Sequence, residues 1–386
     1  MILALTDSLQ WMVPLVITLV KSGLIIFAFL LPFVSYSVYA ERRISALIQD
    51  RLGPNRVGPF GLFQPIPDAV KFLLKEDFTP AHVNKLYFWI APSLAMIPSL
   101  LTIAVIPFGS TINVNYTFIY GSYEFVVSPI QLVVANLDVG LLYVFAISSL
   151  SVYGIVIAGW ASNSKYPFLG SIRATAQLIS YEIAMGLAIM PILLILGTLN
   201  LSDIVIWQAK NGWIAMPFFS ETLGFHLTSW ILWLPFLLSF IIFLVAGFAE
   251  TNRLPFDLPE CETELVGGYH TEYSSMRFAL FFLGEYAAMI VMSALMVTLF
   301  FGGWHFPFLP VSAEGMGLWS SLKLAILHVV TFSVKMILFM LFFIWVRWTL
   351  PRFRYDQLMN LGWKVFLPLS IANLILTMIV LLILKG

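Results

Sequence analysis

Cysteine is nearly missing from this 386-residue chain: Cys261 is its only one. A lone thiol excludes an intramolecular disulfide and lacks the companions that an iron–sulfur cluster or a cysteine-based zinc site needs. Charge is scarce as well. Asp, Glu, Lys and Arg make up 10% of the residues, against roughly 25% in a soluble globular domain, so the chain is not one. Its 20 acids and 20 bases cancel, which removes any general attraction to nucleic acid. His82, His226, His270, His305 and His328 are scattered without ligand spacing. There is no GxGxxG and no GKS or GKT, so nucleotide chemistry has no visible home. The opening MILALTDSLQWM has no basic n-region and no small-residue cleavage site, which is not the pattern of a cleaved signal peptide.

What is present is apolar: 60% of the residues are hydrophobic. Runs long enough to cross a core of ~30 Å at ~1.5 Å per residue recur throughout. They lie near 13–38, 86–108, 130–159, 172–198, 229–249, 276–302, 321–347 and 365–384. The fold class expected is therefore all-α, a polytopic integral membrane protein with eight transmembrane helices, forming one membrane domain over 1–386. Fifteen bases flank the loops after spans one, three, five and seven, against Lys210 and Lys385 on the other side. The basic side belongs in the cytoplasm, so both termini are expected on the periplasmic face.

The basic side also carries the chemistry. Its first loop, 41–85, is punctuated by Gly53-Pro54, Gly58-Pro59, Pro65 and Pro67, which argues for a fixed turning path. A short amphipathic helix is expected over 68–76, lying on the membrane or under a partner. Aromatics in the opposite loops (Tyr116, Phe118, Tyr120, Trp213, Phe218, Phe219) read as packing or interfacial anchors.

Several charges fall inside spans: Glu182 in span four, Glu285 in span six, Asp138 in span three, and Lys21, Lys323 and Lys335 in spans one and seven. Isolated charge at mid-bilayer costs several kcal/mol, so each should face another helix, a partner or water. Lysines can snorkel; Glu182 and Glu285 are too short and too deep. The acidic loop 250–275 begins ETNRLPFDLPECETE, with Glu250, Asp257, Glu260, Glu262 and Glu264 crowded around Arg253. Pro255 and Pro259 interrupt any helix there. Such crowding raises some carboxylate pKa values, as a proton path or charge-sensing hinge requires. A hydrated acidic loop facing a basic partner is the plainer alternative, and Glu250 with Arg253 a simple ion pair.

The motifs ERRISALIQDRLGPNRVGPFGLFQPIPDAVKFLLKED and ETNRLPFDLPECETELVGGYHTEYSSMRFALFF, with the segment GWASNSKYPFLGSIRATAQLISYE, resemble the H-subunit family of respiratory complex I, the proton-translocating NADH-quinone oxidoreductase. The resemblance spans most of the chain from about 40 to 286. It implies a subunit without flavin, haem or iron–sulfur cluster that forms much of a quinone cavity and relays the reduction of ubiquinone or menaquinone to proton translocation. Implied cavity residues are Arg42, Arg43, Arg51, Gln64, Asp68, Lys71, Arg253 and Asp257. The implied acidic path runs from Glu250, Glu260, Glu262 and Glu264 toward Glu182, Glu272 and Glu285, with Asp138 at its outward end because Ser149 stands where some relatives carry an acid. Implied partners are hydrophilic iron–sulfur and quinone-site subunits, small and antiporter-like membrane subunits, and lipid, with no nucleic acid, in a bacterial inner membrane. The same module in a hydrogenase-type complex, a secondary transporter and a purely structural scaffold are the competing readings.

Overall fold

The computed structural model describes residues 12–114, 116–120, 123–127, 129–217, 219, 230–257, 266–313 and 315–385. Among them, eight helices are long and apolar enough to cross a membrane. The first, α1, runs as α-helix Met12–Gly23, π-helix Leu24–Leu30 and α-helix Leu31–Ile48. Pro32 offers no N–H to the preceding turn, and the ladder widens to π spacing just ahead of it. A short helix α2 (Pro65–Leu74) precedes α3 (Lys85–Thr102), α4 (Gly140–Ala161) and α5 (Lys165–Leu196). Then come α6 (Leu201–Asn211), α7 (Trp233–Glu250), α8 (Ser275–Phe300) and α9 (Leu318–Thr349). The last helix, α10, comprises Tyr355–Asn360, a π stretch Leu361–Phe366 and Leu367–Lys385.

Two expectations need correction. The chain is not wholly helical: β1 (Gly109–Ile112) pairs antiparallel with β4 (Ile130–Leu132), and β2 (Tyr116–Tyr120) with β3 (Tyr123–Val127). Residues 109–132 are rich in Thr, Ile, Val, Tyr and Phe, which suit a pleated surface. The third span also starts at Gly140 rather than near 130. Periodicity alone does not separate a short apolar strand from a helix, and Asn136-Leu137-Asp138-Val139-Gly140 makes a turn closed by Gly140 N–H donating to Leu137 O.

The bundle is tightest where small residues let backbones meet. A Cβ on Gly154 of α4 would sit 2.4 Å from the Ala95 nitrogen of α3. One on Gly284 of α8 would meet Met96 of α3 at 3.2 Å. Helix α5 packs against α4, α7 and α10, and Tyr181 from it is fully buried with its hydroxyl donating to Leu358 O at 2.9 Å. By contrast α1 buries little of itself within the chain. Lys335, on α9, meets the cost of its depth by donating to three carbonyls past the end of α8: Phe301 at 2.7 Å, Gly303 at 3.0 Å and His305 at 2.6 Å. Lys21 donates to Val133 O at 3.2 Å, and Lys323 is exposed near the start of α9.

Candidate functional site

After α7 the chain does not leave the bundle. Thr251, Asn252 and Arg253 are all buried, and the turn is pinned by Gln177, whose amide donates to Ala249 O at 2.8 Å and Asn252 Oδ1 at 3.2 Å. Asn252 holds a left-handed φ of 49° there, a conformation that Asn tolerates better than most side chains.

This turn aims Arg253 inward. Its Nε lies 2.8 Å from Glu285 Oε1, a Coulombic contact more than an aligned hydrogen bond, and its Nη1 lies 3.2 Å from Glu41 Oε2. The guanidinium stacks over Tyr286, 4.2 Å from the ring centre. The Tyr286 hydroxyl in turn donates to Glu41 Oε2 at 2.7 Å. Arg347, from α9, closes on Glu41 Oε1, and Arg352 meets Asp257 Oδ2 at 3.3 Å. Three carboxylates and three guanidiniums thus share one largely dry site. Burial pushes Asp257 above the usual carboxylate range, against the opposing pull of Arg352, Arg347 and Arg253. Burial also works against the Arg253 charge, but Glu285, Tyr286 and Glu41 outweigh it and lift its pKa above the ordinary value. Three polar atoms in the cluster remain without a hydrogen-bond partner among the described residues: Arg253 Nε and Nη2, and Asp257 Oδ1.

Beside the cluster lies an apolar cavity of about 230 Å³ between α1, α2 and α8, walled by Val38, Phe72, Phe282 and Tyr286. Its mouth carries Arg42 and Asp68, paired at 2.7 Å, with Gln64 donating to the other Asp68 oxygen at 3.1 Å. Helix α2 starts three residues earlier than expected because Pro65 suits a first turn, where its missing N–H is no loss. It ends at Leu74 and leaves Leu73 and Leu74 exposed, at 67% and 82%.

On the other side of the cluster, Glu250 is held between two small cavities of about 50 Å³ each. One is lined by both Glu250 and Glu285, with Ser99 and Ser151; the other continues past Glu250 to Thr102 and Ser148. Glu250 Oε2 is buried with no hydrogen-bond partner among the described residues. Since one water needs roughly 10–15 Å³ of such space and two to four polar partners, each cavity has room for a few waters.

The structure therefore brings together Arg42, Gln64 and Asp68 at the cavity mouth, and Arg253, Asp257 and Glu285 in the cluster. Arg43 and Arg51 do not reach the cavity: Arg43 donates to Pro54 O at 3.3 Å and Arg51 to Gln49 Oε1 at 2.8 Å, which braces the loop. Lys71 is exposed. Arg253 is not the partner of Glu250; Glu41 and Glu285 take that place. Asp138 is exposed in the turn before α4, outside any span. Glu182 is half-buried in α5, and Glu272 half-buried in the turn before α8. Glu260, Glu262 and Glu264 lie outside the described residues. Sequence reasoning passed over Glu41, Tyr286, Arg347 and Arg352. Glu41 had a signal: seven residues inside the end of α1, about 10 Å deep, it is a carboxylate too short to snorkel.

Comparison with known proteins is consistent across the chain. Residues 21–378 match the family model described as NADH dehydrogenase. The chain is 49% identical over 362 residues to an H subunit of NADH-quinone oxidoreductase (the one numbered 1) from Geobacter metallireducens, covering 94% of this chain and 95% of that one. It is 47% identical over 352 residues to the protein of the same name from Cytophaga hutchinsonii, covering 91% and 93%. It is 47% identical over 364 residues to NADH-quinone oxidoreductase subunit 8 of Rhodothermus marinus, covering 94% and 96%.

Proposed function

The chain belongs to the H-subunit family of NADH-quinone oxidoreductase, a membrane component of a multisubunit enzyme, and from that premise we propose that it walls the quinone cavity and relays quinone reduction to proton translocation through its buried charge cluster. The observation that carries this reading is the position of Tyr286. Its side chain walls the apolar cavity, its hydroxyl is bonded to Glu41, and its ring lies under Arg253.

The cavity suits a segment of an isoprenoid tail, with Arg42 and Asp68 as polar contacts at its mouth. At about 230 Å³ it is smaller than the ~300–1,000 Å³ of a complete small-molecule site. One wall comes from this chain, and hydrophilic partner subunits supply the rest. Reduction of a quinone to its quinol takes two electrons, delivered by redox centres of other subunits, and two protons. A unit charge ~10 Å away at an effective dielectric of ~20 is felt as ~1.7 kcal/mol, more than one pKa unit. That is enough to change the protonation of a balanced cluster. The change passes from Arg253 to Glu285, across the shared cavity to Glu250, and on past the hydroxyls of Ser148 and Thr102 toward neighbouring membrane subunits. In this reading the loop 41–85 docks the hydrophilic partners, and 250–275 is the coupling element. The base-rich loops face the cytoplasm of a bacterial inner membrane, with both termini outside.

Photolabelling of the purified complex with a quinone analogue tests the proposal. Label on the peptides around Arg42–Lys71 and Phe282–Tyr286, competed by excess native quinone, is expected. Competable label confined to other subunits would remove the cavity from this chain.

A further inference from the structure

A much larger cavity than the one beside the charge cluster lies elsewhere in the bundle. It is a groove of about 980 Å³ along α9, with Phe240 and Leu244 of α7 as its far wall. On α9 it is lined from Leu327 through Val334 and Leu338 to Phe342, a length of about 22 Å at 1.5 Å per residue. That is more than half of a hydrocarbon core of ~30 Å.

Its lining says what kind of occupant fits. Lys335 is the one charged residue among the lining residues, and its three donors are taken by the carbonyls of Phe301, Gly303 and His305 while it sits 3.9 Å from the Trp213 ring centre. Nothing charged is left to offer an occupant inside. Eight of the lining residues are aromatic, and none is Gly, Ala or Ser. Helices that pack in membranes meet through small residues, as α3 and α4 do here at Ala95 and Gly154. A groove of bulky, separated side chains fits flexible hydrocarbon better than a second helix.

A second cation stands one turn beyond the Leu327 end of the groove. Lys323 precedes Leu327 by one turn, on the same face of α9; it is exposed and has no ion-pair partner among the described residues. Trp319, one turn further, is 75% exposed, as suits a residue at headgroup level. Bases are rare on this face of the molecule, so a cation in register with an apolar groove is a specific juxtaposition.

We propose that this groove is a binding site for a phospholipid with an anionic headgroup, its acyl chains lying along α9 and its phosphate held by Lys323. The test uses the whole purified complex and a phosphatidylglycerol carrying a diazirine on its acyl chain. Saturable labelling between Leu327 and Phe342 is expected, with unlabelled phosphatidylglycerol competing several-fold better than phosphatidylcholine. Val334→Trp should abolish that label by filling the groove. Lys323→Gln should erase the headgroup preference while leaving tail labelling. Both residues lie away from the quinone cavity, so the NADH-quinone reductase rate reports that the complex is intact. Should a variant not assemble, the competition on the unmodified complex decides alone. Non-saturable labelling, or equal competition by the two lipids, would reduce the site to bulk lipid. A benzoyl-phenylalanine at Leu338 that crosslinks to a neighbouring subunit's polypeptide would overturn the proposal in favour of a protein interface.

Discussion

Arg253 holds two carboxylates from different helices at once, and its neighbours have little water to turn to. Removing one partner of a buried ion pair costs about 3–5 kcal/mol, so Arg253→Gln should leave Glu41 and Glu285 uncompensated and sharply lower the amount of assembled complex in membranes. Tyr286→Phe is the milder change. It deletes the hydroxyl that donates to Glu41, a bond to a charged group worth about 1.5–3 kcal/mol. Assembly should persist while quinone reduction, or protons moved per electron, falls several-fold; unchanged coupled turnover would remove Tyr286 from the relay. His270 offers a pH test. Burial among Tyr269, Phe278 and Phe282 pushes its pKa down to about 4 from 6.5. The folded state therefore favours the neutral ring. Its contribution, about 3 kcal/mol by linkage, is present above pH 6.5 and is lost as pH falls through about 4. Thermal denaturation of the complex between those values should be less acid-sensitive in His270→Gln.

At the scale of elements, the contact between α3 and α4 depends on a missing side chain. Gly154→Ala would place a Cβ 2.4 Å from the Ala95 backbone, closer than atoms approach. The helices must separate, and the hydroxyl-lined space beside Glu250, which Ser99 and Ser151 share, opens with them. Lower thermal stability and impaired coupling are expected, measurable by melting and by proton-to-electron ratios; a variant indistinguishable from the parent would mean that the interface yields freely. The span helices were legible beforehand because each is a long apolar run. The strands at 109–132 and the late start of α4 were not, since a short apolar stretch has the same composition in either conformation. The return of 251–253 into the bundle was also hidden: a segment with Asn and Arg after a span reads as a solvated loop until its partners are known.

For the whole molecule, the orientation proposed here rests on the bases of alternate loops. A C-terminal alkaline phosphatase fusion is expected to be active and a fluorescent-protein fusion dark, as on a periplasmic end; the reverse pattern would invert the assigned topology. The thin burial of α1 belongs to this scale too, because a lone span with an uncovered face calls for lipid or neighbouring subunits around it.

What the sequence by itself determined is whatever sums residue by residue. Hydrophobic length gave eight helices able to cross a membrane, base content gave the sidedness expected of them, and a single cysteine excluded an intramolecular disulfide. The tertiary structure alone decided the charge cluster. Glu41, Arg253, Tyr286 and Arg347 come from α1, the loop after α7, α8 and α9, up to 306 positions apart, and their meeting depends on how four separate elements pack. Asp138, read as lying inside span three, turned out exposed in the turn before α4 for the same reason: depth in the bilayer comes from where a helix begins, and that is settled by contacts with the rest of the fold.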